Sequence, residues 1–299
     1  MTQVVVIVLA LMAALCAAVG IVVRQLATQH VPADQGMSSA MLTSLLRNPI
    51  WWAGTGTAVA GYAFQALALS LGSLLLVQPL LVSCLLFALP ISARVVHERV
   101  SRADWSWALL LTAGLAVFVL VGRPREGHFH PSPTAWLVVG AVCVPLIVCC
   151  IIGAARTIGS RRAVLLAIAV GVMFALVALL TKLCAHRFET AGLEAMLRTP
   201  APYLLVVVAT AGTVLQQSAF HAGALQASVP TMIVLEPVVA VLLGILVLGE
   251  QLTVHGPAVM VLPVAVAAMV AGTIALGRDS GALDEKLVHG HSEEPDPAL

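Results

Sequence analysis

Charge is scarce in this sequence: Asp, Glu, Lys and Arg make up 10% of its 299 residues, whereas 60% are hydrophobic. A soluble domain carries about 25% charged residues, so a water-facing surface is excluded for most of the chain and a lipid bilayer takes its place as a partner. The net charge of +1 identifies no further partner, and nothing calls for nucleic acid. Cysteine is sparse and unpatterned. Cys16, Cys84, Cys143, Cys149, Cys150 and Cys184 all lie within or beside apolar runs without metal-ligand spacing, so they read as small apolar fillers rather than disulfides or ligands. Also missing are a phosphate-cradling glycine loop, a paired-carboxylate or histidine metal cluster and a nucleophile elbow. ATP-driven transport and membrane hydrolysis therefore lack support, and neither an enzyme nor a bound cofactor is expected.

What the chain has in abundance is long apolar runs. A membrane-crossing helix needs about 20 of these residues, and nine stretches qualify: 3–23, 50–70, 73–93, 104–122, 133–153, 162–182, 202–224, 228–248 and 257–277. The first lacks the positive flank of a secretion signal and reads as a retained helix. With nine spans the termini face opposite sides. Placing the N-terminus outside puts ten of the fifteen Lys and Arg residues on the cytoplasmic face, which predicts a multi-pass plasma-membrane protein with a cytoplasmic C-terminus. Trp51, Trp52, Trp105, Trp107, Trp136 and Tyr203 stand near span starts, as interfacial anchors do. The tail, 279–299, is polar and contains Pro295 and Pro297, so disorder is expected there.

The sequence is also written twice. Leu45-Leu46-Arg47-Asn48-Pro49 returns as Met196-Leu197-Arg198-Thr199-Pro200, and Ala63-Phe64-Gln65-Ala66 returns as Ala219-Phe220-His221-Ala222. Gln78-Pro79 has its counterpart in Glu236-Pro237, and the run ending in Arg24 has one in the run ending in Lys182. These matches define a first repeat, 1–122, and a second, 160–278, of four spans each; the linker 123–159 supplies one more. Four plus one is odd, so the second copy enters the bilayer inverted. The expected fold is thus an all-α polytopic membrane protein of about nine helices in a 4+1+4 inverted repeat, an arrangement suited to alternating access. Two amphipathic stretches, 37–47 and 189–198, read as interfacial or re-entrant helices.

Of fourteen carboxylates, only Glu236 falls well inside a span. A charge at that depth costs at least about 2.5 kcal/mol on insertion scales, so such a residue tends to face an internal cavity and mark a transport path. A carboxyl group out of water is more easily kept neutral than charged, which suits Glu236 to take up and release a proton. Pro79 and Pro237 remove one backbone hydrogen bond each at equivalent places and predict kinks that open polar backbone to that cavity. Thr210, Thr213, Gln217 and His221 recur at helical spacing, and Thr57, Gly61 and Gln65 form the corresponding stripe of the first copy. The candidate substrate- and proton-binding set is therefore Glu236, Gln78, Gln65, Gln217, His221, Thr57 and Thr213. Glu98 and Glu250 are expected at helix ends beside water, fixing loop geometry, and Arg24 and Lys182 are expected to snorkel to the headgroups.

At these residues the chain resembles the drug/metabolite transporter superfamily. Leu235-Glu236-Pro237-Val238-Val239-Ala240 through Leu248-Gly249-Glu250-Gln251-Leu252-Thr253 looks like the closing half of an EamA-type domain. The first copy, with Asn48-Pro49-Ile50-Trp51-Trp52 and Gln78-Pro79, looks more like the NIPA-type magnesium transporter branch. The resemblance spans residues 3–277 and implies a ten-span-like inverted-repeat fold around a central cavity, from which nine spans depart. It implies a secondary transporter, and the ligand set favours a proton-coupled carrier of a small solute. One alternative is a magnesium or other divalent-cation carrier with Glu236 as metal ligand. Another is a non-transporting membrane subunit or scaffold. The oligomeric state stays open, a homodimer being one arrangement.

Overall fold

The computed structural model of the protein describes residues 2–29, 49–96, 100–125, 127, 132–221, 225–254 and 260–289. Its helices are α1 (Thr2–Gln29), α2 (Pro49–Leu71), α3 (Leu74–Leu81), α4 (Cys84–Val96), α5 (Arg102–Gly122), α6 (Pro133–Ala155), α7 (Ser160–Leu197), α8 (Ala201–His221), α9 (Leu225–Leu248) and α10 (Val261–His289). Among the described residues, six segments are long and apolar enough to cross a membrane, at 3–20, 74–91, 102–122, 133–155, 160–197 and 228–248, and Val261–Gly277 is a shorter apolar helix. They mark the chain as membrane-embedded. Large apolar side chains such as Leu109, Leu120, Leu137 and Val264 are exposed on the outside of the bundle, where a bilayer would cover them.

Several expectations change here. The stretches 50–70 and 202–224 are largely helical, as α2 and α8, but neither belongs to the six strongly apolar segments. The span expected at 73–93 is present as the apolar segment 74–91, divided into α3 and α4 by a tight turn at Val82-Ser83 that follows Pro79, with Val82 N–H donating to the Pro79 carbonyl. The amphipathic stretch 189–198 is helical on both sides of Gly192, whose φ of 80° and ψ of 178° are not helical, so α7 consists of a long helix and a short one joined at a kink. The segment 37–47 lies outside the described residues. Helix α10 continues to His289, so the first half of the expected disordered tail is helical, and 290–299 lie outside the described residues. A two-stranded antiparallel ribbon joins the helices, with β1 (Pro124–Arg125) pairing β2 (Gln251–Leu252). The six cysteines are all free.

Helices α1 and α2 run antiparallel. Gly20 of α1 approaches Gly54 and Ala58 of α2, and Gly61 approaches Ala13, Cys16 and Ala17; farther along, Gly72 meets Val6. A Cβ at Gly61 would lie 3.2 Å from that of Cys16 and 3.3 Å from the Ala13 carbonyl oxygen, so the backbones pack without side chains between them. The two sequence copies do not form separate units: α5 packs on α10, α3 on α9, and α2 reaches α7. One end of the bundle therefore gathers the start of α1 and the ends of α2, α5 and α9, tied together by the β1–β2 ribbon.

Gly61→Val should cost about 1–3 kcal/mol through overpacking against α1, read as a lower melting temperature in detergent. Gly140→Ala, on α6 where nothing stands within 4 Å, should leave that temperature unchanged or raise it. Equal behaviour of the two variants would contradict the close α1–α2 contact.

Candidate functional site

A cavity of about 330 Å³ opens between α1, α2, the α3–α4 turn and α9. Its small apolar wall is Ala13, Ala14 and Ala17 of α1 with Ala58 and Gly61 of α2. Positions 58, 61, 62 and 65 share one face of α2 at helical spacing, so Tyr62 and Gln65 join the lining; α3 adds Gln78 and α9 adds Ile233, Glu236 and Pro237. Pro237 carries no N–H, so the Ile233 carbonyl on the preceding turn has no helical donor, and polar backbone meets the cavity beside the acid. Gln78 is 1% exposed, and its Nε2 makes no hydrogen bond among the described residues. A buried amide donor without a partner costs free energy unless a water or solute supplies an acceptor. The cavity thus sets one carboxyl group, two amides and a phenol against a wall of alanines.

Thr57, Thr213 and Gln217 are not part of its lining. Thr57 donates through Oγ1 to the Ala53 and Gly54 carbonyls and packs beside Gly20, at the α1–α2 contact. Thr210, Thr213 and Gln217 are exposed on α8, and Thr213 donates to the Ala209 carbonyl. Gly212 and Ala219 of α8 are the buried positions, Gly212 meeting Phe174 and Met173 of α7. At about 100° per residue, the stripe at 210, 213 and 217 falls on the opposite side of the helix. His221 ends α8, and its side chain lies outside the described residues.

A second polar centre lies at the end of the bundle where α2, α5 and α9 finish. Lys182 Nζ lies 2.7 Å from Glu250 Oε1 and donates to the Gly72 carbonyl at 2.7 Å; each residue is 1% exposed. The Leu74 and Leu75 amides, free because they begin α3, donate to Glu250 Oε1 and Oε2 at 2.9 and 3.0 Å. Both carboxylate oxygens and the ammonium are thus engaged by charge-assisted hydrogen bonds. Space for this comes from two glycines. At Gly249 the backbone turns with φ 64°, and a Cβ on Gly244 would lie 2.8 Å from Glu250 Oε2. Thr181, beside Lys182, donates to the Val177 carbonyl and so accepts from the Tyr62 hydroxyl at 2.7 Å, linking this centre to the cavity wall.

No protein-family model matches the chain, and no solved structure does. It is similar to the uncharacterized protein Cgl0250/cg0304 of Corynebacterium glutamicum, at 38% identity over 271 residues that cover 91% of this chain and 94% of that one. The chain belongs to the family of that protein. The shared segment is long enough to take in both the cavity and the buried pair as elements of one membrane fold.

Two expectations about this family member's charges are corrected. Lys182 does not snorkel: α7 continues past it to Leu197, so it sits within a helix and turns inward. Glu250 is not beside water, because the turn after α9 folds it back under α3. Glu98 and the side chain of Arg24 lie outside the described residues. The sequence signal for Lys182 was its apolar sequel, Leu183-Cys184, where a snorkelling lysine would end the run. Tyr62 was missed although it completes the stripe formed with Gly61 and Gln65.

Lys182→Met leaves the Glu250 carboxylate without its counter-charge and should cost about 3–5 kcal/mol of stability. Lys182→Met combined with Glu250→Gln should cost less than the single change, since no unpaired charge remains. Unfolding titrations of the purified variants check this, and a single variant as stable as the parent would contradict the pairing.

Proposed function

We propose that the protein is a secondary transporter of the drug/metabolite transporter type, a carrier rather than an enzyme. It moves a small solute across the plasma membrane by alternating access, with Glu236 taking up and releasing the coupling proton. The observation that carries this reading is that Gln78 and Glu236, which occupy matching positions of the two sequence copies, line one cavity. A two-copy carrier is expected to hold its solute between its halves, near the bilayer midplane. Tyr62, Gln65 and the unpartnered Gln78 amide are groups that can orient a polar solute, and a volume of 330 Å³ is at the low end for small-molecule sites.

The finer architecture belongs to the same reading: nine spans in a 4+1+4 inverted repeat, an outside N-terminus and a cytoplasmic C-terminus. The antiparallel α1–α2 pair and the meeting of the α2, α5 and α9 ends support it, because alternation of span direction places those ends on one face.

In proteoliposomes under a proton gradient, Glu236→Gln should abolish gradient-driven solute flux while its melting temperature stays near that of the parent. Flux that persists with its proton dependence intact would remove Glu236 from the mechanism. Measuring magnesium beside organic solutes in the same vesicles separates the carrier of small solutes from a divalent-cation carrier, and a protein that moves neither would be a membrane subunit or scaffold.

A further inference from the structure

We infer that the Lys182–Glu250 pair is a latch that seals the cavity at the bundle end where α1 begins, and that it must release for the cavity to open on that face. The latch's purpose rests on the transporter reading, whereas its test reads access to the cavity and not flux.

The pair joins parts of the chain that are far apart in sequence. Lys182 belongs to α7, Glu250 to the turn after α9, and the groups they hold, the Gly72 carbonyl and the Leu74 and Leu75 amides, belong to the break between α2 and α3. What the latch fastens is therefore the free N-terminus of an eight-residue helix, α3. That helix carries Gln78 into the cavity four residues later, about 6 Å along its axis. The seal around the pair is tight: residues 72–80 form an unbroken buried run, and Leu179 and Leu248 are buried beside it. Gly127 closes over the top, its Cα so near the Leu248 carbonyl that no Cβ would fit between them.

The chemistry is that of a releasable contact rather than a packed core. Apolar side chains would hold α3 at lower desolvation cost than two buried charges. A carboxylate that accepts from two helix amides, beside an ammonium that donates to the Gly72 carbonyl, by contrast, holds one geometry strongly, and all three contacts to the α2–α3 break are lost together when α3 moves. The arrangement is also directional. Only an acceptor can cap Leu74 and Leu75, and only a donor can reach the Gly72 carbonyl, so the two charges cannot be exchanged. Tyr62 connects the latch to the cavity, since its hydroxyl binds the residue next to Lys182 while its ring lines the solute site.

Cys84 lines the cavity and serves as the probe. In protein whose other five cysteines are replaced by alanine, reconstituted in vesicles of known orientation, a membrane-impermeant thiosulfonate is applied from each face. With the pair intact, Cys84 should resist the reagent from the face where α1 begins. Glu250→Gln should raise its labelling rate from that face by about tenfold, the scale on which a minor open state becomes populated. Lys182→Gln, a milder change that keeps donors to Glu250 and Gly72, should raise it less. The reversed pair, Lys182→Glu with Glu250→Lys, should not restore protection. Labelling that stays at the parental rate in folded Glu250→Gln or Lys182→Gln protein would overturn the latch, as would full protection by the reversed pair. If Glu250→Gln opens Cys84 while Glu236→Gln leaves flux unchanged, the latch stands and the proton reading falls.

Discussion

The contact on which this fold turns is the carboxylate of Glu250, held by Lys182 and by the first two amides of α3. A buried ion pair is a poor source of stability, since the desolvation of two charges offsets most of their attraction. It is a strong source of geometry. Four hydrogen bonds converge on groups from three distant parts of the chain, and they are satisfied together only when α7, the α9 turn and the α2–α3 break occupy one arrangement. The sequence around the pair serves that arrangement: Gly72 supplies the carbonyl, Ser73 accepts from the Leu76 amide, Gly244 leaves room, and Gly249 supplies the turn.

From this follows a division of labour between two acids, buried Glu250 and partly exposed Glu236. Glu250 has every oxygen committed to structure, whereas Glu236 faces a cavity with amides and a phenol for neighbours. A carboxylate whose two oxygens are both engaged has little left to offer a ligand, whereas one that lines a cavity can be reached by whatever enters it. Short α3 connects the two, fastened by one acid at its start and presenting Gln78 beside the other. A proline in each copy loosens the helix at that level, so the cavity forms where the backbone is least regular, as membrane-buried irregular backbone requires.

Much of this was legible in the residues, for definite reasons. Apolar run length locates helices in a bilayer, and a single acid in such a run stands out against its surroundings, so Glu236, with Gln78 and Gln65 from the corresponding stretches, could be placed about one cavity. Helical periodicity alone could not choose between faces. The stripe Thr213–Gln217 has the spacing of a lining, yet Gly212 and Ala219 make the closer contact with α7 and turn it away. The pair Lys182–Glu250 escaped notice because each residue lies near the end of an apolar run, where solvent or headgroups are the ordinary partners. Only the continuation of α7 and the return of the chain after Gly249 bring them inside. The turn between α3 and α4 was hidden for a related reason: hydropathy registers composition, whereas the turn follows Pro79 and is held by backbone hydrogen bonds from Val82 and Ser83 to the Pro79 and Leu80 carbonyls.

In the proposed mechanism Glu236, which lines the cavity, couples solute movement to protons, and Glu250, held by Lys182 and two amides, does not. The most direct measurement is the proton-to-solute ratio, obtained from the gradient at which net solute movement reverses in proteoliposomes. With Glu236 alone available, one proton should be exchanged for each solute molecule. A ratio of two, or a reversal point independent of the proton gradient, would contradict it.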